Sequence, residues 1–219
     1  MSADDADVVY LLSSVNSEFQ GLYKSTNSGT SFSTQSTTPN LLGWSADGTD
    51  TGGQGWYDLC IEVDPNDAST VFVGGVNIWK TTDSGSSWNC AGHWVGNATV
   101  ASVHADQHWM AYHPVTQRLF VCNDGGVYST GDGGTTWPEH SSGLGIAQIY
   151  RIGVSQHTNE LVINGYQDNG TAIWEDTLFR TERGGDGMES LIDPNNDNVM
   201  YATVYYGNIA RSTNAGFGF

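Results

Sequence analysis

The segment His104-Ala-Asp106-Gln-His108 places two imidazoles and a carboxylate on alternate residues. If this stretch is extended, period 2 sets all three side chains on one face, ~6–7 Å apart between successive positions. Imidazole nitrogen and carboxylate oxygen are good ligands for zinc or another divalent metal, which makes His104, Asp106 and His108 the metal candidates of the chain. A divalent metal is also the one cofactor these residues suggest. Asp124 or Asp168 could complete such a site. Two further readings stand beside it: a hydrogen-bonded network that ties neighbouring loops together, and a catalytic or glycan-contacting role.

Asp124, Asp168 and Asp186 are the candidates for paired-carboxylate chemistry. Glycoside hydrolysis needs two carboxyl groups flanking the bond, ~5–5.5 Å apart for retention or ~6.5–9.5 Å for inversion. Spacing along the chain does not fix those distances. Gln167 adjoins Asp168, and Trp109, Tyr166 and Tyr206, with Trp94, are the rings that could stack on a sugar. Packing within the core or between sheets is the alternative role for each ring.

Repeats are what must position these residues. Four segments share a hydroxyl residue, Asp or Asn two later, Gly two after that, then an aromatic three further on: Ser25–Phe32, Thr81–Trp88, Thr130–Trp137 and Ser212–Phe219. Asn27, Asp83, Asp132 and Asn214 hold the acidic or amide position. Such a side chain accepts hydrogen bonds from its own turn while Gly takes the positive-φ position, so the unit reads as a hairpin staple and not as a catalytic group. Before each turn lies a short aromatic or branched run, and further upstream come period-2 runs closed by Pro, such as Trp56–Asp64 and His108–His113. A fifth unit without the turn lies around residues 149–182. One unit is therefore strand A, Pro turn, strand B, hairpin, strand C, Asp/Asn turn and strand D, at ~40–50 residues, which is one propeller blade.

The expected fold is all-β: a β-propeller of four-stranded antiparallel blades, forming an incomplete segment of a larger propeller. A single segment covers 1–219, with a partial blade at 8–54, blades at 55–106, 107–148 and 149–185, and a partial blade at 186–219. A small ring closed by pairing the two incomplete ends is the alternative. In such blades the loop entering strand A and the B–C hairpin open on one face, near the axis. That rule gathers His104, Asp106, His108, Asp124, Gln167, Asp168 and Asp186 on a common mouth. Asp58, after Gly52-Gly-Gln-Gly55, is a weaker equivalent.

At these residues the chain resembles the Asp-box (bacterial neuraminidase-type, BNR) repeat propellers, and most of all the sortilin-like and xyloglucanase-like glycosyl hydrolase propellers of secreted bacterial proteins. The stretches Val103–His108, Asn123–Tyr128, Gly165–Gly170 and Gly184–Met188 carry that resemblance more specifically than the turns do. It implies an extracellular module, commonly part of a longer chain. Sialidases of this kind use three arginines and an Arg-Ile-Pro motif. This chain has five Arg and no such motif, so sialidase activity is not expected. The xyloglucanase-like enzymes use paired aspartates across a cleft between two propellers.

Composition narrows the partners. Asp and Glu number 24 against 7 Lys and Arg, a formal charge of −17. Such a surface repels phosphate backbones and anionic lipid, so no nucleic-acid partner and no membrane insertion is expected. The first residues have neither a basic region nor an apolar one, so secretion is argued from the rest of the chain. Cys60, Cys90 and Cys122 show no metal spacing, leaving either buried thiols or one disulfide. The leading expectation is a secreted or cell-surface binding or scaffold module for carbohydrate or an extracellular protein. A glycoside hydrolase with paired aspartates is the alternative, and a divalent-metal site at the His-Asp-His cluster is the third reading.

Overall fold

The computed structural model describes residues 2–97, 99–145 and 147–219. The chain divides into two compact units, Met1–Leu144 and Gly145–Phe219. The first unit holds three antiparallel sheets. They are β1 (Val9–Val15), β2 (Glu18–Ser25) and β3 (Ser33–Ser36); then β4 (Cys60–Val63), β5 (Val71–Gly74), β6 (Ile78–Thr81) and β7 (Asn89–Gly92); then β8 (Gln107–Tyr112), β9 (Leu119–Asn123) and β10 (Gly126–Thr130). The second unit holds β11 (Ile149–Val154), β12 (Val162–Tyr166), β13 (Gly170–Glu175) and β14 (Leu178–Arg183), then β15 (Ser190–Asp193), β16 (Asn196–Val204) and β17 (Asn208–Ser212). Every sheet is a simple meander, each strand pairing with the next in sequence. The chain is thus all-β and built of propeller-type blades.

Within each unit the sheets stack face to face. Leu22 and Tyr10 pack with Val71, Val73 and Trp79, joining the first sheet to the second. Phe72 and Ile78 pack with Met110, Leu119, Val121 and Trp137, joining the second to the third. Val71, Phe72 and Val73 are therefore buried on both faces, which is why β5 is an unbroken apolar run instead of an alternating one. In the second unit Ile163 and Ile173 pack with Ile192 and Met200. The second and third sheets approach through β4 against β8, and the two sheets of the second unit through β11 against β15. In the third sheet a short fourth edge is pinned to β10 where Ser129 N donates to Pro138 O (3.1 Å) and His140 N donates to Val127 O (2.7 Å).

The four Asp/Asn turns share one set of bonds. The leading hydroxyl donates to the Asp or Asn side chain, at 2.8 Å for Ser25 to Asn27, 2.7 Å for Thr81 to Asp83, 2.8 Å for Thr130 to Asp132 and 2.6 Å for Ser212 to Asn214. The same hydroxyl accepts from the N–H of Gly29, Gly85, Gly134 or Gly216 at 2.8–3.0 Å. Those glycines sit at φ between 79° and 94°, where a side chain would strain the backbone. Hydrogen bonds from Ser87 and Thr81 hold the Asp83 carboxyl down at about 2. Trp137 then reaches the preceding sheet, its Nε1 donating to Ala91 O at 2.9 Å.

The second unit is sewn together by backbone contact. A Cβ on Gly165 would stand 2.0 Å from Met188 O and 2.3 Å from Gly187 O, whereas one on Gly184 would meet nothing within 4 Å. Gly165→Ala is therefore expected to cost about 3 kcal/mol or more through overpacking, and Gly184→Ala close to nothing. Chemical denaturation of both variants checks this. Equal midpoints would refute the close approach.

Candidate functional site

The best-organised polar cluster of the first unit begins at a turn. Tyr57 N and Asp58 N both donate to Gln54 O, at 2.6 and 3.1 Å, and Gly55 N donates to Ser17 O at 3.0 Å. This delivers Trp56, Tyr57 and Asp58 just before β4. The equivalent loop before β8 is held by Gln107, which is fully buried. Its N–H donates to Gly75 O at 2.9 Å, its Nε2 donates to His104 O at 2.6 Å, and its Oε1 accepts from Asn123 Nδ2 at 3.1 Å.

Because β4 and β8 are adjacent, the two loops bring their carboxylates together. Asp58 is 0% exposed, and the donor nearest its carboxylate oxygens is its own backbone N–H. Its neighbour within hydrogen-bonding reach is the Asp106 carboxyl. Two carboxylates attract only with a positive charge between them, so the pair must share a proton or a cation. Burial, then the Asp106 charge beside it, pushes Asp58 up to about 8. Burial and the nearby Asp124 charge raise Asp106 as well, against the pull of His104 and His108. Gln54 Nε2 donates to Asp106 Oδ1 at 2.9 Å.

Asp124, on the hairpin between β9 and β10, closes the cluster. Oxygens of Asp106 and Asp124 lie within 4.8 Å of each other. His108 Nε2 meets Asp124 Oδ1 at 2.5 Å, and Tyr57 OH donates to Asp124 Oδ2 at 2.7 Å. An ionised carboxylate can only accept, so His108 carries its proton on Nε2. The Tyr57 ring meets His108 edge-on at 4.9 Å and lies 5.5 Å from Trp56, whose side chain is 74% exposed.

Several sequence expectations change here. The His104–His108 stretch is not extended: Asp106 has φ +66° and β8 starts only at Gln107, so the three side chains do not line one strand face. The His104 ring instead lies over Gly125, where a Cβ would come within 2.3 Å of its Cγ. Trp109 is exposed, and its alternation with Met110 points it away from the β4–β7 sheet. Tyr166 is buried, edge-on to Phe179 at 6.3 Å, so ring stacking on a ligand does not fit it. Tyr206 is fully exposed at φ +62°, beside Tyr205.

In the second unit Asp168 and Asp186 do come together, with Asp168 N donating to Asp186 Oδ1 at 2.8 Å, and Gln167 N donates to Gln148 O at 3.0 Å. A groove of about 340 Å³ in this unit is lined by Tyr150, Glu189, Ile209 and Arg151, with Arg151 3.4 Å from Glu189. It contains none of the candidate aspartates. Sequence reasoning passed over Gln54 and Tyr57 and ranked Asp58 low. The available signal was that Asp58 precedes its strand A just as Asp106 precedes its own. All three cysteines are unpaired, and burial pushes Cys60 up to about 12 and Cys90 up to about 11.

No family model matches the chain, and no curated protein does. Among solved structures, the chain is similar to the GH74 xyloglucanase from Xanthomonas campestris, at 16% identity and TM-score 0.48, covering 100% of this chain and 37% of that one. A GH74 enzyme from Niastella koreensis matches at 19% identity and TM-score 0.45, covering 100% and 36%. A chain of a nidogen/laminin complex matches at 10% identity and TM-score 0.41, covering 93% and 70%. The chain therefore spans little more than a third of the GH74 chains it matches.

The carboxyl pair predicts a pH dependence. Asp58 has a folded value of about 8, above the unfolded value near 3.8, so the native state holds a proton that the unfolded chain releases. Stability is full below the unfolded value and falls as pH rises towards 8, by at most about 1.4 kcal/mol per unit. Asp58→Asn supplies a permanent donor to Asp106 and removes this slope. Melting curves in chelator from about pH 5 to 9 should show the variant gaining on the native chain as pH rises. Parallel curves would contradict the assignment.

Proposed function

We propose that this chain is an extracellular carbohydrate-binding propeller module, with its ligand seated on the Trp56 ledge beside Asp124. The observation that carries the reading is the 74% exposure of Trp56 within 5.5 Å of Tyr57, whose hydroxyl is already oriented by Asp124. A pyranose offers an apolar C–H face and a rim of hydroxyls. An exposed indole suits the face, and carboxylate and phenol oxygens suit the rim. The charge of −17 favours a neutral glycan over an anionic one. Further blades or domains of a longer protein are part of the same reading.

Glycoside hydrolysis finds less support within the first unit. Asp58 is closed to solvent and cannot touch a substrate, and Asp124 is engaged by both His108 and Tyr57. A bond flanked by two accessible carboxyls is what hydrolysis requires.

Tryptophan fluorescence titration with neutral β-glucan and xyloglucan oligosaccharides tests the proposal. The expected result is saturable binding, weakened roughly tenfold or more in Trp56→Ala by loss of the stacking surface, with no reducing-sugar release. Absence of binding across neutral oligosaccharides, or binding unchanged in Trp56→Ala, would overturn it. Turnover abolished by Asp124→Ala would establish the hydrolase instead.

A further inference from the structure

We infer that His140 is an acid-released latch on the outer edge of the third sheet: the neutral ring clasps residues 138–140 to β10, and the protonated ring releases them. The inference stands independently of the glycan reading. Ser129 is 0% exposed, so its hydroxyl must meet its partners inside the protein. Arg118 donates to Ser129 Oγ twice, from Nε at 3.3 Å and from Nη2 at 3.0 Å. A serine oxygen has two lone pairs and one proton, and the guanidinium fills both pairs. The remaining contact, 2.7 Å to His140 Nε2, is therefore made by the serine proton. Nε2 acts as a bare acceptor, and the neutral ring carries its proton on Nδ1.

A second proton on the ring puts an N–H where only an acceptor fits. Ser129 Oγ has no lone pair left for it, and the new charge faces the Arg118 guanidinium across one hydroxyl. Histidine is the side chain that ordinarily gains charge between about pH 8 and pH 5. Phe120 lies against the ring at 5.8 Å, with His113 in turn 6.4 Å from Phe120. Glu139 bridges to Tyr128 on β10, a phenol kept neutral by burial and by the Glu139 charge. Among the described residues no carboxylate forms an ion pair with His140 that would hold the charge in place. His140 is exposed, so the charged ring can turn into water while buried Ser129 keeps Arg118. The backbone gives the segment a short grip, through Pro138 O and His140 N, with Ser141 Oγ accepting from Val127 N at 3.0 Å. In the same position of their sheets, β7 and β14 are strands of four and six residues. Release leaves the β10 edge unpaired, the state in which a sheet accepts another strand.

The test is amide hydrogen exchange on the full chain at about pH 8 and about pH 5, the interval in which histidine changes charge, with intrinsic exchange rates divided out. The Ser129 and His140 amides should be protected at the higher pH and lose that protection at the lower one. The neighbouring turn is an internal control, because the Thr136 hydroxyl and N–H hold Asp132 ionised well below the ordinary carboxylate range. His140→Gln keeps an acceptor that does not titrate, and its two amides should stay protected at both values. Nitrogen-15 NMR of the native chain at the higher pH should place the His140 proton on Nδ1. Unchanged protection of the native chain at the lower pH overturns the inference, as does equal acid-induced loss in His140→Gln. A proton found on Nε2 of the neutral ring overturns it too, and that measurement decides alone if His140→Gln is already open at the higher pH.

Discussion

Strand β8 packs directly against strand β4, so the loops that lead into these two strands must share one space. The contact is possible because Gly74 on the neighbouring strand carries no side chain. A Cβ there would stand 2.7 Å from the Gln107 Cβ and 2.8 Å from the Met110 Cε. Phe72 and Ile78 on one sheet and Met110 and Val121 on the other provide the apolar surface that holds the approach. Asp58 ends one loop and Asp106 ends the other, and their carboxyl groups meet where water is excluded. The polar cluster of the first unit follows from that apolar contact.

The cluster differs physically from the other acidic positions. Asp83 and Asp132 accept hydrogen bonds from their own turns, which hold both well below the ordinary carboxylate range and make them fixed structural anions. At Asp58, burial and the Asp106 charge outweigh the bond from its own backbone N–H, and it moves the opposite way. Aspartates on one chain thus split into two populations. One staples hairpins, and the other holds a proton between buried carboxyls. Trp56, Tyr57 and His108 build an aromatic edge on the second population, so the surface there combines an apolar ring with carboxylate oxygens.

Much of the fold was legible in the sequence because repetition reports it. The Pro-closed runs gave β4, β8 and β15, and the hydroxyl–Asp/Asn–Gly pattern marked the turns after β2, β6, β10 and β17. The unit lacking that turn became β11–β14, closed instead by the tight Glu175–Leu178 hairpin with Asp176 at φ +54°. The site was only half legible. Asp106 and Asp124 were picked out by residue type and loop position. The period-2 argument then failed at Asp106, because a single left-handed residue breaks the alternation and sequence does not announce it. Asp58 was ranked low because its significance lies in what surrounds it. Burial and a second carboxyl within reach are properties of packed neighbours, and no spacing rule encodes them.

Asp58 and Asp106 share one proton in a closed space. Carbon-13 NMR titration of the aspartate carboxyls, in metal-free solution, observes this directly. One carboxyl, lost in Asp58→Asn, should titrate near 8, with a second raised partner that shifts when Asp58 is replaced. Titration of every aspartate in the ordinary carboxylate range would contradict the shared-charge pair.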